Sequence, residues 1–351
     1  EKPDFVTFFE TFPLQEKTLV NRLKNNFGGQ RESIKVAAGM GDFDVVLCTT
    51  PPLLLTTSAI SIAKKKNAKL VLDVRDIWPD VAIEMGTFKP NSLYGRFFSH
   101  IAKRGFKAAD MVTTVSAGKV TKLASRICKA GASVQLVPNG IDESFVESTD
   151  ENQLLGYILS IPQSDNPQCL KIHSLVIKAD HRRQGLGTLL DIAAVRPNIR
   201  FLLFGTGADK QKLEDRVHEE GITNVEFCGT VDAAGVYTVL KHSALAYVPL
   251  VSSRLKDSIP TKLYECIACG CPVLLAAQGD SVDLLEESGL GKHAAPEDPK
   301  GLLREFDALI EQKYTEEEKR NAAARMLSEH SRQKAACEFA ELLLAEFEGD
   351  C

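Results

Sequence analysis

The sequence predicts an α/β protein with two doubly wound domains, and three observations support this. The chain has 351 residues, whereas one domain usually has about 100–200. Short β-branched apolar runs alternate with helical patterns along most of the chain, which is typical of parallel sheets covered by helices. The composition is 44% hydrophobic and 25% charged, as in ordinary globular proteins, and this excludes a disordered or collagen-like chain.

Four apolar runs in the first half predict strands, and the segments between them predict helices. The strands are residues 44–49, 69–74, 111–115 and 134–137, and the helices are residues 54–66, 92–107 and 117–129. The densest basic run, Lys64–Lys66, is assigned to the end of the first of these helices. A parallel sheet with helical crossovers follows from this order.

The second half repeats the alternation. Strands are predicted at residues 200–204, 225–228, 245–248 and 272–276, and helices at residues 209–220, 234–241, 261–269 and 281–288. A charged segment without Gly or Pro, residues 315–347, predicts a long closing helix. We therefore expect a first Rossmann-like domain at 1–145, a second at 184–312 and a C-terminal helix at 313–351.

The charge and the cysteines limit the class of protein. The net charge is −5, divided into +4 over residues 1–150 and −9 over the remainder, which is too little basic bias for a nucleic-acid binder. The basic first half is compatible with contact to an anionic membrane surface. Nine scattered cysteines favour reduced thiols in the cytoplasm over a disulfide framework. We expect a cytoplasmic protein, or one peripheral to the inner face of the membrane.

No metal site is predicted, although one cysteine cluster suggests one. Cys266, Cys269 and Cys271 form a C-x-x-C-x-C pattern. A zinc site would need a second Cys or His pair at suitable spacing nearby, and none is present. Because buried free cysteine behaves as a small hydrophobe, these residues are predicted to pack in the core.

Seven stretches together resemble the retaining nucleotide-sugar glycosyltransferases of family four, which have the two-domain GT-B fold. The closest likeness is to bacterial enzymes that modify polysaccharide or lipid-carrier intermediates. The matching stretches occur in family order: DVVLCTTPPL, LVLDVRDIWPDVAIEMG, ADMVTTVSAG, VPNGID, FLLFGTGADKQKLE, NVEFCGTV and SIPTKLYECIACGCPVLLAAQGD. The resemblance implies transfer of a sugar from a UDP- or GDP-linked donor, with no cofactor required, to a glycan or a lipid-linked acceptor.

The resemblance also implies the donor residues. Gly205 and Gly207 allow the backbone to approach the donor, and Thr261 and Lys262 open a helix whose N–H groups can stabilise a diphosphate. Glu265 corresponds to the second acid of the family's E-x7-E signature, which typically holds the ribose hydroxyls. The first acid is the shorter Asp257.

In the first domain, the resemblance places catalytic residues after a strand. Arg75 and Asp76 occupy the position of an active-site polar pair, and Glu84 follows in the same matching stretch. In the family's mechanism the acceptor hydroxyl attacks the face from which the diphosphate leaves. Asp76 and Glu84 would then position or polarise hydroxyl groups. The alternative for Asp76 and Arg75 is a helix cap beside a surface cation.

Residues 154–190 depart from the family and resemble the central piece of a GNAT acyl-CoA N-acyltransferase. Arg182, Arg183, Gly185 and Gly187 match the loop that cradles the coenzyme A pyrophosphate at a helix start. Two alternatives to the glycosyltransferase therefore stay open: an acyl-CoA N-acyltransferase or bifunctional chimera that uses acetyl-CoA, and a non-catalytic truncated or chimeric GT-B-like protein. The glycosyltransferase interpretation predicts that the strand of this segment pairs in parallel with residues 200–204.

Overall fold

The computed structural model describes residues 6–9, 11, 19–87, 89, 91–127, 132–147, 170–175, 185–207 and 209–347. The chain divides into two compact units. The first comprises residues 1–137 together with 344–351, and the second comprises residues 138–343. Among the described residues, no helix is long and apolar enough to cross a membrane.

The first unit is a parallel sheet with helices packed against it. Its elements are α1 (Leu19–Gly39), β1 (Val45–Thr50), α2 (Leu55–Lys66), β2 (Lys69–Val74), α3 (Asp80–Glu84), α4 (Leu93–Ala108), β3 (Met111–Thr114), α5 (Ala117–Ala124) and β4 (Ser133–Leu136). The four strands pair in the order β1-β2-β3-β4, and all pairs are parallel.

Alternate residues of these strands form one core with α2 and α4. Leu70, Leu72 and Val74 of β2 pack with Ile60 of α2 and Phe106 of α4, all nearly inaccessible to solvent. Close packing at the helix is helped by Gly105, where an added Cβ would lie 2.6 Å from Cγ2 of Thr56. The side chains that the apolar pattern of the sequence predicts to be buried therefore face the core, as expected.

Within its described residues, the second unit has two groups of three parallel strands. Its elements are α6 (Ser144–Glu147), β5 (Leu170–Leu175), α7 (Leu186–Val195), β6 (Ile199–Phe204), α8 (Lys210–Glu219), β7 (Val225–Gly229), α9 (Ala233–Lys241), β8 (Ala246–Pro249), α10 (Thr261–Ala268), β9 (Val273–Ala276), α11 (Asp280–Ser288), β10 (Gly291–Ala294), α12 (Pro299–Glu311), α13 (Glu316–Glu329) and α14 (Arg332–Phe347). The hydrogen-bonded groups are β5-β6-β7 and β8-β9-β10, and β5 lies beside β8.

The resulting strand order, 7-6-5-8-9-10, is the doubly wound Rossmann order. The direction of winding reverses between β5 and β8, which is where ligands bind in such sheets. As predicted, β5 pairs in parallel with β6, with Ile172 opposite Phe201. The α/β fold class with Rossmann-like units is thus confirmed.

The cysteine cluster lies in the core of the second unit. Cys266, Cys269 and Cys271 belong to an apolar cluster with Leu263 and Ile267. Burial raises the pKa of all three thiols above the ordinary value, so they are protonated and inert at neutral pH. The packing role predicted for these residues is confirmed.

The closing helix differs from the sequence prediction. The segment 315–347 forms two helices, α13 and α14, that are separated at His330 and Ser331. The backbone N–H of Ile141 donates to O of His330 at 2.8 Å, and N–H of Arg332 donates to O of Ile141 at 2.9 Å. These groups would bond within a continuous helix, so pairing with Ile141 ends α13 and starts α14.

Candidate active site

Gly185, which directly precedes α7, meets the end of β8 at the reversal of the second unit's sheet. Gly185 begins α7 with φ +66°, and an added Cβ would lie 3.4 Å from Cβ of Pro249. Its carbonyl accepts a hydrogen bond from the buried hydroxyl of Tyr247 at 3.2 Å. Gly187 follows in the first turn, and Arg182 and Arg183 lie outside the described residues. Tyr247 is a residue that sequence reasoning missed, because it reads as one more apolar strand position.

The turn after β6 contains Gly205 and Gly207. The N–H of Gly205 donates to O of Gly229 at 2.5 Å, which joins the turn to the end of β7. The carbonyl of Gly207 accepts from N–H of Lys210 at 3.2 Å, at the start of α8. Gly207 itself is exposed. Both predicted glycines therefore lie at the carboxyl edge of the sheet, with open backbone beside them.

The loop that connects β8 to α10 is held by the start of α11. N–H of Asp280 donates to O of Lys256 at 2.8 Å, and the hydroxyl of Ser281 donates to O of Ser258. At Gly279, with φ +75°, an added Cβ would lie 2.1 Å from O of Lys256. Asp257, the predicted first acid, is buried inside this loop at 7% exposure. The backbone on both sides of Asp257 is therefore fixed by its contacts with the start of α11.

The first two turns of α10 bring Lys262 and Glu265 together, with Arg332 nearby. Thr261 is exposed at the first position of this helix. Burial lowers the pKa of the Lys262 ammonium, and the neighbouring Cys266 and Glu265 oppose that effect. Burial raises the pKa of the Glu265 carboxyl, and the positive charges of Arg332 and Lys262 oppose it.

One oxygen of Glu265 has an unmet hydrogen-bonding capacity. Its Oε2 is buried, and among the described residues it has no hydrogen-bond partner. A buried acceptor without a partner costs free energy, so this atom is suited to receive a ligand hydroxyl. Arg332 could not be found from the E-x7-E spacing, since it belongs to α14 and also donates from Nε to O of Gly140 at 2.9 Å.

A polar cluster crosses the carboxyl end of the first unit's sheet. Thr49, Asp73 and Thr113 are register partners on β1, β2 and β3. The Asp73 carboxylate accepts from both threonine hydroxyls and from Nε of Arg75, each at 3.1 Å. Asp73 thereby orients Arg75, whose side chain is 55% exposed. Sequence reasoning missed Asp73, although a carboxylate inside an apolar strand was an available signal.

Asp76 lies in the turn that follows β2. Asp76 borders a small cavity that Thr50, Thr56 and Trp78 also line. Trp78 packs edge-on against Phe98, with ring centroids 5.8 Å apart, so the turn is ordered as expected.

Two ion pairs fasten α3 to α5 and the residues that follow it. Glu84 has Oε1 3.8 Å from Nζ of Lys122, and Asp80, one helical turn earlier, pairs with Arg126. Glu84 therefore has a structural role as well as its predicted catalytic one.

Comparison with known proteins agrees with this geometry. Residues 162–326 match the family described as glycosyl transferases group 1. A protein of Pseudomonas aeruginosa named as a probable glycosyltransferase, WbjE, is 22% identical over 283 residues, which cover 80% of this chain and 69% of that protein. Sucrose-phosphate synthase from Thermosynechococcus elongatus has a similar structure, with a TM-score of 0.77 and 16% identity over 96% of this chain and 82% of that one. Anabaena HepE in complex with UDP has a TM-score of 0.67 and 17% identity over 92% and 83%.

The two Rossmann-like units and the structural similarity give the chain the GT-B fold. The sequence comparisons are more particular: residues 162–326 match the group 1 glycosyl transferases, and with the bacterial relative this match identifies a glycosyltransferase enzyme. The resemblance of residues 154–190 to N-acyltransferases stays a prediction, since most of its loop lies outside the described residues.

Proposed function

We propose that this glycosyltransferase moves a sugar, with retention of configuration, from a nucleotide-diphospho-sugar to a glycan or lipid-linked acceptor. The observation that carries the proposal is the buried Oε2 of Glu265, which has no hydrogen-bond partner within the described part of the chain and lies beside Lys262 at the start of α10. The carboxylate would accept the ribose hydroxyls, and Lys262 with the N–H groups of α10 would bind the diphosphate. Gly205, Gly207, Thr261 and Asp257 would complete the donor site. A UDP-linked donor is favoured over GDP, because HepE was crystallised with UDP and with UDP-glucose.

The reaction is a displacement at the anomeric carbon of the donor sugar. The bond from this carbon to the diphosphate oxygen breaks, and a bond from the acceptor oxygen forms on the same face. The acceptor proton passes to the departing diphosphate. Positive charge near the phosphates stabilises the negative charge that develops on them, which is the proposed role of Lys262.

In the first unit, Asp76 and Glu84 are proposed to position or polarise acceptor hydroxyls. Arg75, held by Asp73, would supply a fixed positive charge for a polar acceptor group. An acceptor that is linked to lipid would place the enzyme at the inner face of the membrane as a peripheral protein.

A ligand screen by thermal shift tests the donor assignment. UDP and GDP are compared with acetyl-CoA, each from micromolar to millimolar concentration. A ligand that binds the folded chain at 100 times its Kd stabilises it by about 2.7 kcal/mol. We expect UDP or GDP to raise the transition temperature with saturation and acetyl-CoA to have no saturable effect. Saturable acetyl-CoA binding without a nucleotide effect would support the acyltransferase instead.

Glu265→Gln is expected to separate binding from stability. Burial raises the pKa of Glu265 in the folded state, so the ionised carboxylate costs stability as pH rises from the unfolded-state pKa through the folded one. At pH 7 the variant should therefore be at least as stable as the wild type. Loss of the charged acceptor should weaken UDP affinity about tenfold.

The measurements for Glu265→Gln are chemical denaturation without ligand and calorimetry with UDP. Glu286→Gln is the control, because Glu286 is exposed on α11 and its ion-pair partner within the described part of the second unit is His293. Loss of stability with unchanged affinity would show that Glu265 is structural and contradict the donor assignment.

A further inference from the structure

The outer face of α4 combines exposed apolar and basic side chains. Leu93 is 83% exposed, Tyr94 40% and Phe97 44%, at the start of the helix. Its second half exposes Lys103, Arg104 and Lys107. The opposite face packs into the core of the first unit. Large apolar side chains on a face that also carries several cations are unusual for a purely solvated helix.

The spacing places these side chains in one stripe. Leu93, Phe97, His100, Arg104 and Lys107 are separated by three or four residues, so they lie along one side of the helix. At 1.5 Å per residue the stripe is roughly 20 Å long. Because the helix is continuous from Leu93 to Ala108, the stripe is not interrupted along its length.

The charge on this helix has a single sign. Residues 93–108 contain Arg96, Lys103, Arg104 and Lys107 and no Asp or Glu.

The end of α2 adds positive charge beside the stripe. Lys64 borders the same surface cavity as Arg104 and Lys107, as does Lys69 of β2. Asp44 and Asp110 are the acids that border this cavity, and Asp110 accepts a hydrogen bond from N–H of Leu70 at 2.8 Å. The cations outnumber the acids here, and the surface is positive.

We propose that the outer face of α4, with Lys64 beside it, binds the surface of an anionic lipid bilayer. Leu93, Tyr94 and Phe97 would enter the boundary between headgroups and acyl chains, while Arg104 and Lys107 would contact lipid phosphates. This combination of apolar and basic side chains on one helix face is what interfacial binding requires. A protein with an acidic patch would also complement these cations, and the experiment below distinguishes such a partner from a bilayer.

The inference adds a binding surface to the peripheral membrane contact in the proposed function. The purpose of this surface rests on that proposed function. The evidence is independent of the donor site, because it concerns the first unit alone. Each basic residue near an anionic surface contributes about 1 kcal/mol, which is about fivefold in the partition coefficient. Raising the salt concentration should weaken this part of the binding.

Sedimentation of the full chain with vesicles tests the proposal. Vesicles of phosphatidylcholine alone are compared with vesicles that contain 30 mol% phosphatidylglycerol, without nucleotide, at roughly 0.1 M and 1 M salt. We expect binding to the anionic vesicles at low salt. The double variant Arg104→Gln/Lys107→Gln should reduce the partition coefficient about 25-fold, and Leu93→Gln/Phe97→Gln should reduce binding at both salt concentrations.

Control variants in the second unit remove the same number of cations or a single exposed apolar side chain. Lys212→Gln/Lys300→Gln removes two exposed cations, and Val195→Gln removes one exposed apolar side chain. Both should bind vesicles like the wild type. The proposal is overturned if the wild type does not bind anionic vesicles, if the α4 variants bind like the controls, or if a soluble protein is retained by the α4 face while vesicles are not. UDP affinity of the α4 variants is measured in parallel, so a failure of the proposed function is recognised separately.

Discussion

Gly279→Ala is expected to destabilise the chain by about 3 kcal/mol or more and to abolish detectable UDP binding. Gly279 has φ +75° and ψ −143°, a conformation that is essentially restricted to glycine and costs other residues about 1–3 kcal/mol. An added Cβ would also lie 2.1 Å from O of Lys256. That contact forces the loop around Asp257 away from the start of α11, which breaks the hydrogen bond from Asp280 to Lys256.

Gly289→Ala is the matched control, because this glycine ends the helix that Gly279 begins. It has φ +66°, yet no atom lies within 4 Å of an added Cβ. The substitution should cost only about 1 kcal/mol and leave UDP affinity unchanged. Urea denaturation and calorimetry measure both effects. Equal losses in the two variants would mean that the backbone conformation alone, and not the contact with Lys256, determines the result.

Lys262→Ala is expected to weaken UDP affinity about 10- to 150-fold. The substitution removes a charge-assisted hydrogen bond to the diphosphate that is worth about 1.5–3 kcal/mol. Lys241→Ala is the control, because Lys241 is exposed at the end of α9. The chain runs from there into the amino end of β8, whereas the proposed donor site lies beyond the carboxyl end of that strand. Isothermal titration calorimetry at pH 7 gives both affinities. An unchanged affinity in Lys262→Ala would show that the donor site has been assigned to the wrong residues.

The pH dependence of binding gives a second measurement on the same residue. Burial lowers the pKa of Lys262 below the ordinary value, and only the protonated amine binds the diphosphate strongly. UDP affinity should therefore fall as pH rises through this lowered pKa, below the pH at which an ordinary lysine loses its proton. Lys262→Arg should lack this decrease, because arginine stays charged. Ionisation of the nucleotide base affects the wild type and Lys262→Arg equally. The difference between their pH profiles of UDP affinity therefore reports the ionisation of Lys262.

The strands of both sheets could be predicted because each buried strand is an apolar run. Residues 69–74 and 200–204 are nearly continuous apolar segments, and each strand lies within one residue of its predicted position. Strand β10 was not predicted, because Gly291–Ala294 has the sequence GKHA with no β-branched residue. Helix α1 continues through Gly28 and Gly29, although glycine is unfavourable inside a helix. Strand β10 and the glycines inside α1 could not be predicted from local composition, because packing against distant residues determines them.

The candidate site was predictable where neighbours in space are also neighbours in sequence. Lys262 and Glu265 lie three residues apart on one helix, so helical periodicity alone brings them together. Arg332 approaches Glu265 from a distant helix, and Asp73 meets Thr49 and Thr113 only through the strand register. Neither contact follows from any local pattern. Their roles, like those of Asp76 and Glu84, stay predictions until the variants are measured.

The pairing of Ile141 with Ser331 gives the second unit the topology of a closed ring. Gly140 and Arg332, which are 192 residues apart in the chain, are joined where the unit begins and where its last helix starts. An added Cβ on Gly140 would lie 2.1 Å from O of His330, so the two backbones are in direct contact. A non-covalent clasp of this kind transmits tension from one end of the second unit straight to the other. A force that pulls apart residues 138 and 343, the two ends of this unit, is thus borne first by the clasp, and strands β5–β10 inside the ring are shielded until it opens.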